Sequence, residues 1–114
     1  MAVRRIDLLQ GTLDLLILQS LGTGPNHGYG IAMRIHQLSD DVLRVEEGSL
    51  YPALYRMEEQ GLIQSEWRTT ENNRKAKFYK LTRKGRAAAD AELQGWWRLS
   101  RAVSKVLRGI EQGA

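Results

Sequence analysis

Apolar residues recur at helical spacing in four stretches of this chain and alternate with polar ones in two others. In the first stretch Leu13, Leu16, Ile17 and Leu21 share one face of a helix predicted from about Thr12 to Leu21. Leu9, Leu15 and Leu18 carry the apolar surface round to its other sides, and a helix apolar nearly all round needs packing partners on two sides. Gly22–Asn26, with Gly24-Pro25 inside it, reads as a turn. His27-Gly28-Tyr29-Gly30 then opens a second helix reaching about Ser39, with Ile31, Ile35 and Leu38 predicted inward. Asp40–Gly48 is longer than a minimal helix-turn-helix turn, and Val42, Leu43 and Val45 suit a short strand within it. The third helix is predicted to start at Ser49 as cap, with Pro52 tolerated in its first turn and Gly61 as its stop. Leu50, Leu54 and Met57 give it an apolar stripe, which leaves Tyr51, Tyr55, Arg56 and Glu59 outside.

Two alternating segments follow, Leu62–Arg68 and Lys77–Leu81, joined by a polar loop ending Asn72-Asn73-Arg74-Lys75. Ile63 and Trp67 share one strand face, as do Tyr79 and Leu81. Thr82 suits the cap of a last helix running from Arg83 to about Ile110. Its Ala89, Leu93, Trp96, Ser100, Val103, Leu107 and Ile110 keep a heptad seam, widened by Trp97, Leu99 and Val106. A helix of about 25 residues is roughly 37 Å long, more than a small core can cover. Two tryptophans bury on the order of 150–250 Å² each, so a bare seam would be an unusually large apolar patch. The expected fold class is α+β, mainly α: a winged helix-turn-helix (residues 1–82) with a long C-terminal dimerisation helix (residues 83–114) in the same compact unit. Packing of that helix within one chain is the alternative to a homodimer.

Charge sharpens the picture. The chain has a formal charge of +4 and a pI near 9.7. From Arg68 to Arg86 it places Arg68, Arg74, Lys75, Lys77, Lys80, Arg83, Lys84 and Arg86 against Glu71 alone. Such single-sign clustering points to a nucleic acid as partner, and with the winged-helix build to double-stranded DNA, whereas a merely solvated face mixes signs. With no cysteine, disulfides and thiolate metal sites are excluded. Arg4 and Arg5 precede an apolar stretch, but Asp7, Gln10 and Asp14 interrupt it, so a signal core or membrane span is not expected and the reading is cytoplasmic.

Catalytic and cofactor chemistry finds no support. His27 and His36 stand nine residues apart with no third ligand, and His27 beside its glycines reads as a cap or a packing residue. Gly28-Tyr29-Gly30 lacks the third glycine and the preceding strand of a dinucleotide fingerprint. The acidic pairs Asp40-Asp41, Glu46-Glu47 and Glu58-Glu59 read as solvated turn and helix-end charges. No enzyme, cofactor or metal is expected.

The strings LLQGTLDLLILQSL, HGYGIAMRI (His27–Ile35), EEGSLYPALYRMEEQGLI (Glu46–Ile63) and NNRKAKFYKLT (Asn72–Thr82), with Trp67 and Gly85-Arg86, carry a resemblance over nearly the whole chain. The chain resembles the PadR-type transcriptional regulators, in particular the short subgroup with a single C-terminal helix. The resemblance implies a bacterial, homodimeric winged-helix repressor, often responsive to small aromatic or multidrug-like effectors. Carried over by position, it makes Ser49, Tyr51, Tyr55 and Arg56 candidates for backbone and base-edge contacts, with a wedge between helix and wing as the other reading of Tyr51. Arg74 and Lys75 match the wing tip and Lys77 the adjoining strand, where phosphate contacts position a protein more than they read sequence. Leu93, Trp96, Trp97, Val103 and Leu107 are the candidate dimer interface. Trp96 matches the aromatic that sandwiches a flat ligand in some relatives; interface packing alone is its other reading, and which of Trp96 and Trp97 faces the interface stays open. The rival function is a winged-helix protein–protein adaptor without sequence-specific DNA binding, and a third is a small-molecule scavenger.

Overall fold

The computed structural model describes residues 6–113, so Arg4 and Arg5 lie outside the described residues. Among the described residues the helices are α1 (Gln10–Leu21), α2 (Gly28–Leu38), α3 (Glu47–Glu59) and α4 (Arg83–Gly113). The strands are β1 (Ile6–Asp7), β2 (Asn26–His27), β3 (Leu43–Arg44), β4 (Ile63–Thr69) and β5 (Lys75–Leu81). The architecture is the expected α+β, mainly helical winged helix-turn-helix with a long C-terminal helix. α1 buries Leu13, Leu15, Ile17, Leu18 and Leu21, the two-sided burial that its circumference demanded. One side meets Ile31 and Ile35 of α2, Leu50, Leu54 and Met57 of α3, and Ile63, Tyr79 and Leu81 of the hairpin. The other meets the root of α4, where Gln19 Nε2 donates to the Ala89 carbonyl at 2.7 Å.

The antiparallel sheet has the order β2-β5-β4, with Ile63 opposite Leu81 and Trp67 opposite Lys77. A separate parallel pair joins β1 to β3. The long connector between α2 and α3 is ordered by side chains. His36 Nε2 accepts from the Val45 N–H at 3.0 Å, and Ser39 Oγ accepts from the Leu43 N–H at 3.0 Å. Asp40 and Asp41 take φ of 52° and 63°, left-handed values that aspartate tolerates better than most side chains.

Several boundaries differ from expectation. α1 begins at Gln10, two residues ahead of Thr12. α3 begins at Glu47, because the Glu46 carbonyl already accepts from the N–H groups of Ser49 and Leu50; Ser49 sits in the first turn and does not cap it. β5 starts at Lys75, since the hairpin ladder extends to the Thr69–Lys75 pair. Leu38 is 74% exposed, because Ile35 is the last residue of α2 in the core and the β3 segment meets the helix end through His36 and Ser39 instead.

The root of α4 is clamped to the end of α3. Thr82 Oγ1 accepts from the Gly85 N–H at 3.0 Å and donates to the Gly61 carbonyl at 2.6 Å, so it caps the helix as predicted and ties it down. Lys84 Nζ donates to the Gln60 carbonyl at 2.8 Å. A Cβ on Gly85 would stand 1.8 Å from the Leu62 carbonyl oxygen, a backbone atom that cannot swing aside. Elsewhere in a helix, glycine to alanine stabilises by up to about 1 kcal/mol. Gly85→Ala has the opposite sign: urea unfolding is expected to show a loss of about 2 kcal/mol or more. Unchanged or raised stability would mean that α4 does not seat on Leu62 this closely.

Candidate nucleic-acid interface

The outer surface of α3 is only partly what its sequence spacing suggests. Ser49, Tyr51, Pro52 and Tyr55 are exposed, with Tyr55 68% and Tyr51 48% accessible. Hydrogen bonding to Glu59, one turn on, and the charge of that carboxylate raise the Tyr55 phenol above its ordinary value. Tyr55 therefore keeps its proton, directed at the Glu59 carboxylate, and its phenol oxygen and ring edge face solvent. Arg56 corrects the expectation of an outward cation. It lies on the flank of α3 that faces α1, and its Nη2 sits 2.7 Å from Asp14 Oδ1 and 2.5 Å from Oδ2.

Tyr51 lies on the opposite flank, over the start of α2. A Cβ on Gly28 would come within 2.9 Å of the Tyr51 ring, so the absent side chain at Gly28 is what lets the two helices approach. His27 caps α2, its Nδ1 accepting from the Gly30 N–H at 3.1 Å, and its ring stands edge-on to Phe78 at 5.1 Å between centroids. Between these residues and the hairpin lies a cleft of about 400 Å³ lined by His27, Tyr29, Tyr51, Trp67, Lys75 and Lys77. Tyr51 is thus both wedged and half-exposed, which joins its two sequence readings.

Tyr29 and Trp67, 62% and 69% exposed, were not among the candidates from sequence. Trp67 shares a strand face with buried Ile63, but the core ends before it, and a large aromatic past the end of a core is the signal that could have marked it. Tyr29 was visible inside the HGYG string, with no feature to say that it faces out.

The basic run is less uniform in space than in sequence. Lys77 Nζ is 3.5 Å from Glu58 and 5.9 Å from the Tyr79 ring centroid. Burial, then the charge of Glu58, raise the Tyr79 phenol. Arg68 pairs with Glu66 and lies over the Phe78 ring. Arg74 and Lys75 at the wing tip are exposed and have no carboxylate partner among the described residues. Their charges are open to an external anion, as is that of exposed Lys80 on β5.

On the far side, burial along the α4 seam fades from Ala89 at 8% exposed, through half-buried Leu93 and Trp96 at 39%, to Val103 at 47%, Leu107 at 56% and Ile110 at 63%. A groove of about 680 Å³ between α1 and α4 is walled by Leu9, Leu15, Ala88, Gly95, Trp96 and Leu99. Trp96 lines it; Trp97, one residue and 100° further round, does not. Among the described residues no group of three His, Asp or Glu side chains could hold a metal ion, and no helix is long and apolar enough to cross a membrane.

The model of the transcriptional regulator PadR-like family matches residues 17–91. The chain belongs to the PadR family. Transcriptional regulator Rv3488 of Mycobacterium tuberculosis is 36% identical over 94 residues, covering 82% of this chain and 84% of that one. An uncharacterized protein X of Lysinibacillus sphaericus is 24% identical over 94% of this chain and 98% of its own. Among solved structures, the PadR-like transcriptional regulator BC4206 of Bacillus cereus superposes with a TM-score of 0.76 at 30% identity, over 89% of this chain and 96% of that one.

This PadR-family protein is accordingly a DNA-binding transcriptional regulator and not an enzyme. Two motifs by which the family resemblance was read, HGYG and GSLYPAL, meet at the Gly28–Tyr51 contact. In this PadR regulator Gly28→Ala is expected to cost roughly 1–2 kcal/mol by overpacking. Most of that cost should vanish in a Tyr51→Ala background, as a double-mutant cycle by thermal or urea unfolding would show. Additive effects would mean that the ring does not sit on Gly28.

Proposed function

We propose that the protein is a cytoplasmic homodimeric repressor that binds an inverted-repeat operator, with residues 1–82 reading DNA and residues 83–114 holding two copies together. The observation that carries the reading is the exposed Ser49, Tyr51 and Tyr55 of α3 beside a wing tip whose Arg74 and Lys75 are unneutralised. α3 enters the major groove, and Tyr51 and Tyr55 offer it hydroxyl groups and ring edges. Arg74, Lys75 and, after exchange of its carboxylate partner, Lys77 meet phosphates and set register. Repression itself rests on the family resemblance.

The pairing half of the proposal rests on Trp96, Trp97, Leu99, Val103, Val106, Leu107 and Ile110, all between 39% and 63% exposed on one helix. The heptad spacing of Trp96, Val103, Leu107 and Ile110, widened by the others, suits a second copy of α4. A flat aromatic or multidrug-like effector fits the groove beside Trp96, and it releases DNA if it binds better to the arrangement in which the two α3 helices are wrongly spaced.

Selecting bound fragments from random DNA at stated salt should enrich a palindrome with half-site centres about one helical turn, roughly 34 Å, apart. No enrichment would favour the adaptor reading. Replacing Arg74 and Lys75 together by alanine should weaken binding to all sequences alike and, with four side chains lost per dimer, lower the slope of log affinity on log salt by about 3–4. A sequence-dependent loss would make them readers. Sedimentation at micromolar concentration should give a dimer, and a monomer would remove the pairing proposal.

A further inference from the structure

Of the four ion pairs among the described residues, Arg44–Glu46 and Arg68–Glu66 are local, whereas the other two tie α3 to separate elements. Glu58 reaches the wing, 3.5 Å from Lys77 Nζ, and also accepts from Ser65 Oγ at 2.6 Å. Arg56 reaches α1 through Asp14, across 42 residues of chain. The two pairs take hold of opposite flanks of the C-terminal half of α3. The N-terminal half, with Ser49, Tyr51 and Tyr55, stays outside them.

The Arg56–Asp14 pair is the more enclosed of the two, its side chains 32% and 23% exposed. Taking either charge out of that pair would leave the other partly desolvated and unmatched, so each holds the other in place. Asp14 is itself fixed between Leu13 and Leu15, which are 1% and 6% exposed. It is a stiff anchor, unlike a surface carboxylate on a mobile loop.

Resting on the reading that α3 enters DNA, we infer that Asp14 is a positioning residue for operator recognition. Through Arg56 it fixes the angle at which α3 presents Ser49, Tyr51 and Tyr55, and Arg56 acts on Asp14 and not on a base. An arginine reading a guanine edge needs its guanidinium projecting from the groove-facing side of the helix. This one is turned to the flank and occupied.

The test uses the full-length protein and the operator obtained by selection with the wild type. Asp14→Asn, which keeps the shape, and Arg56→Ala should each weaken operator binding by roughly three- to thirtyfold, while the double variant is no weaker than the singles. Affinity for random DNA should change little. The exchanged pair, Asp14→Arg with Arg56→Asp, should recover most of the loss, because only the link between helices is needed. Melting curves identify variants that fail to fold; Arg56→Lys, which keeps the charge and one donor, then serves in their place with a milder loss of operator binding. Asp14→Asn that binds as well as wild type while Arg56→Ala loses preference at a single base position would overturn the inference and make Arg56 a direct reader. A folded exchanged pair with no recovery would also overturn it. A wild-type chain that enriches no site would remove the DNA reading itself, an outcome separate from any behaviour of the variants.

Discussion

A helix apolar nearly all round has to be covered on two sides, and α1 is that helix here. Leu13, Ile17 and Leu21 on it seal the winged-helix core, while Leu15 and Gln19 meet the root of α4. This requirement places α1 between the half of the molecule that holds α3 and the wing and the half that carries the bare apolar seam. The rest of the arrangement follows from it. α3 is pressed against one side of α1 by Leu50, Leu54 and Met57, and α4 lies along the other.

Within α3 the same element serves two purposes by dividing its length. Its C-terminal half is fastened by Arg56 and Glu58 on opposite flanks, and its N-terminal half keeps hydroxyl groups and aromatic edges clear. Partly buried ion pairs are weak sources of net stability, since desolvation offsets most of their attraction. Their worth is directional: each fixes a distance between two elements that apolar contact alone would let slide.

Where a residue's environment is set by neighbours within two helical turns or along one strand, the sequence was legible. That covers the four helices, the hairpin, the His27 and Thr82 caps, Gly61 as the stop of α3 at φ 76°, and the fading of burial along α4. It failed where a distant partner decides. Asp14 holds Arg56 to the flank facing α1 from 42 residues away, and the Lys77 charge on β5 is met by Glu58 of α3. β2 has two residues, too few to show a period, and exists because the edge of β5 is free to pair with it. Ser49 was displaced as cap by the Glu46 carbonyl, a choice made by backbone geometry that side-chain preference does not record. Trp67 and Tyr29 needed the cleft to be seen at all.

The clamp of Thr82, Lys84 and Gly85 on Gln60, Gly61 and Leu62 has a mechanical consequence. It makes α4 a lever whose short end is welded to the exit of α3. At about 1.5 Å per residue its 31 residues form an arm of about 46 Å. Swinging the root by about 10° carries the tip through about 8 Å, and holding the tip to within about 1 Å fixes the root to about 1° on the same rise. Whatever grips the far turns of α4 therefore sets the attitude of α3 with the fineness of a long pointer on a short axle.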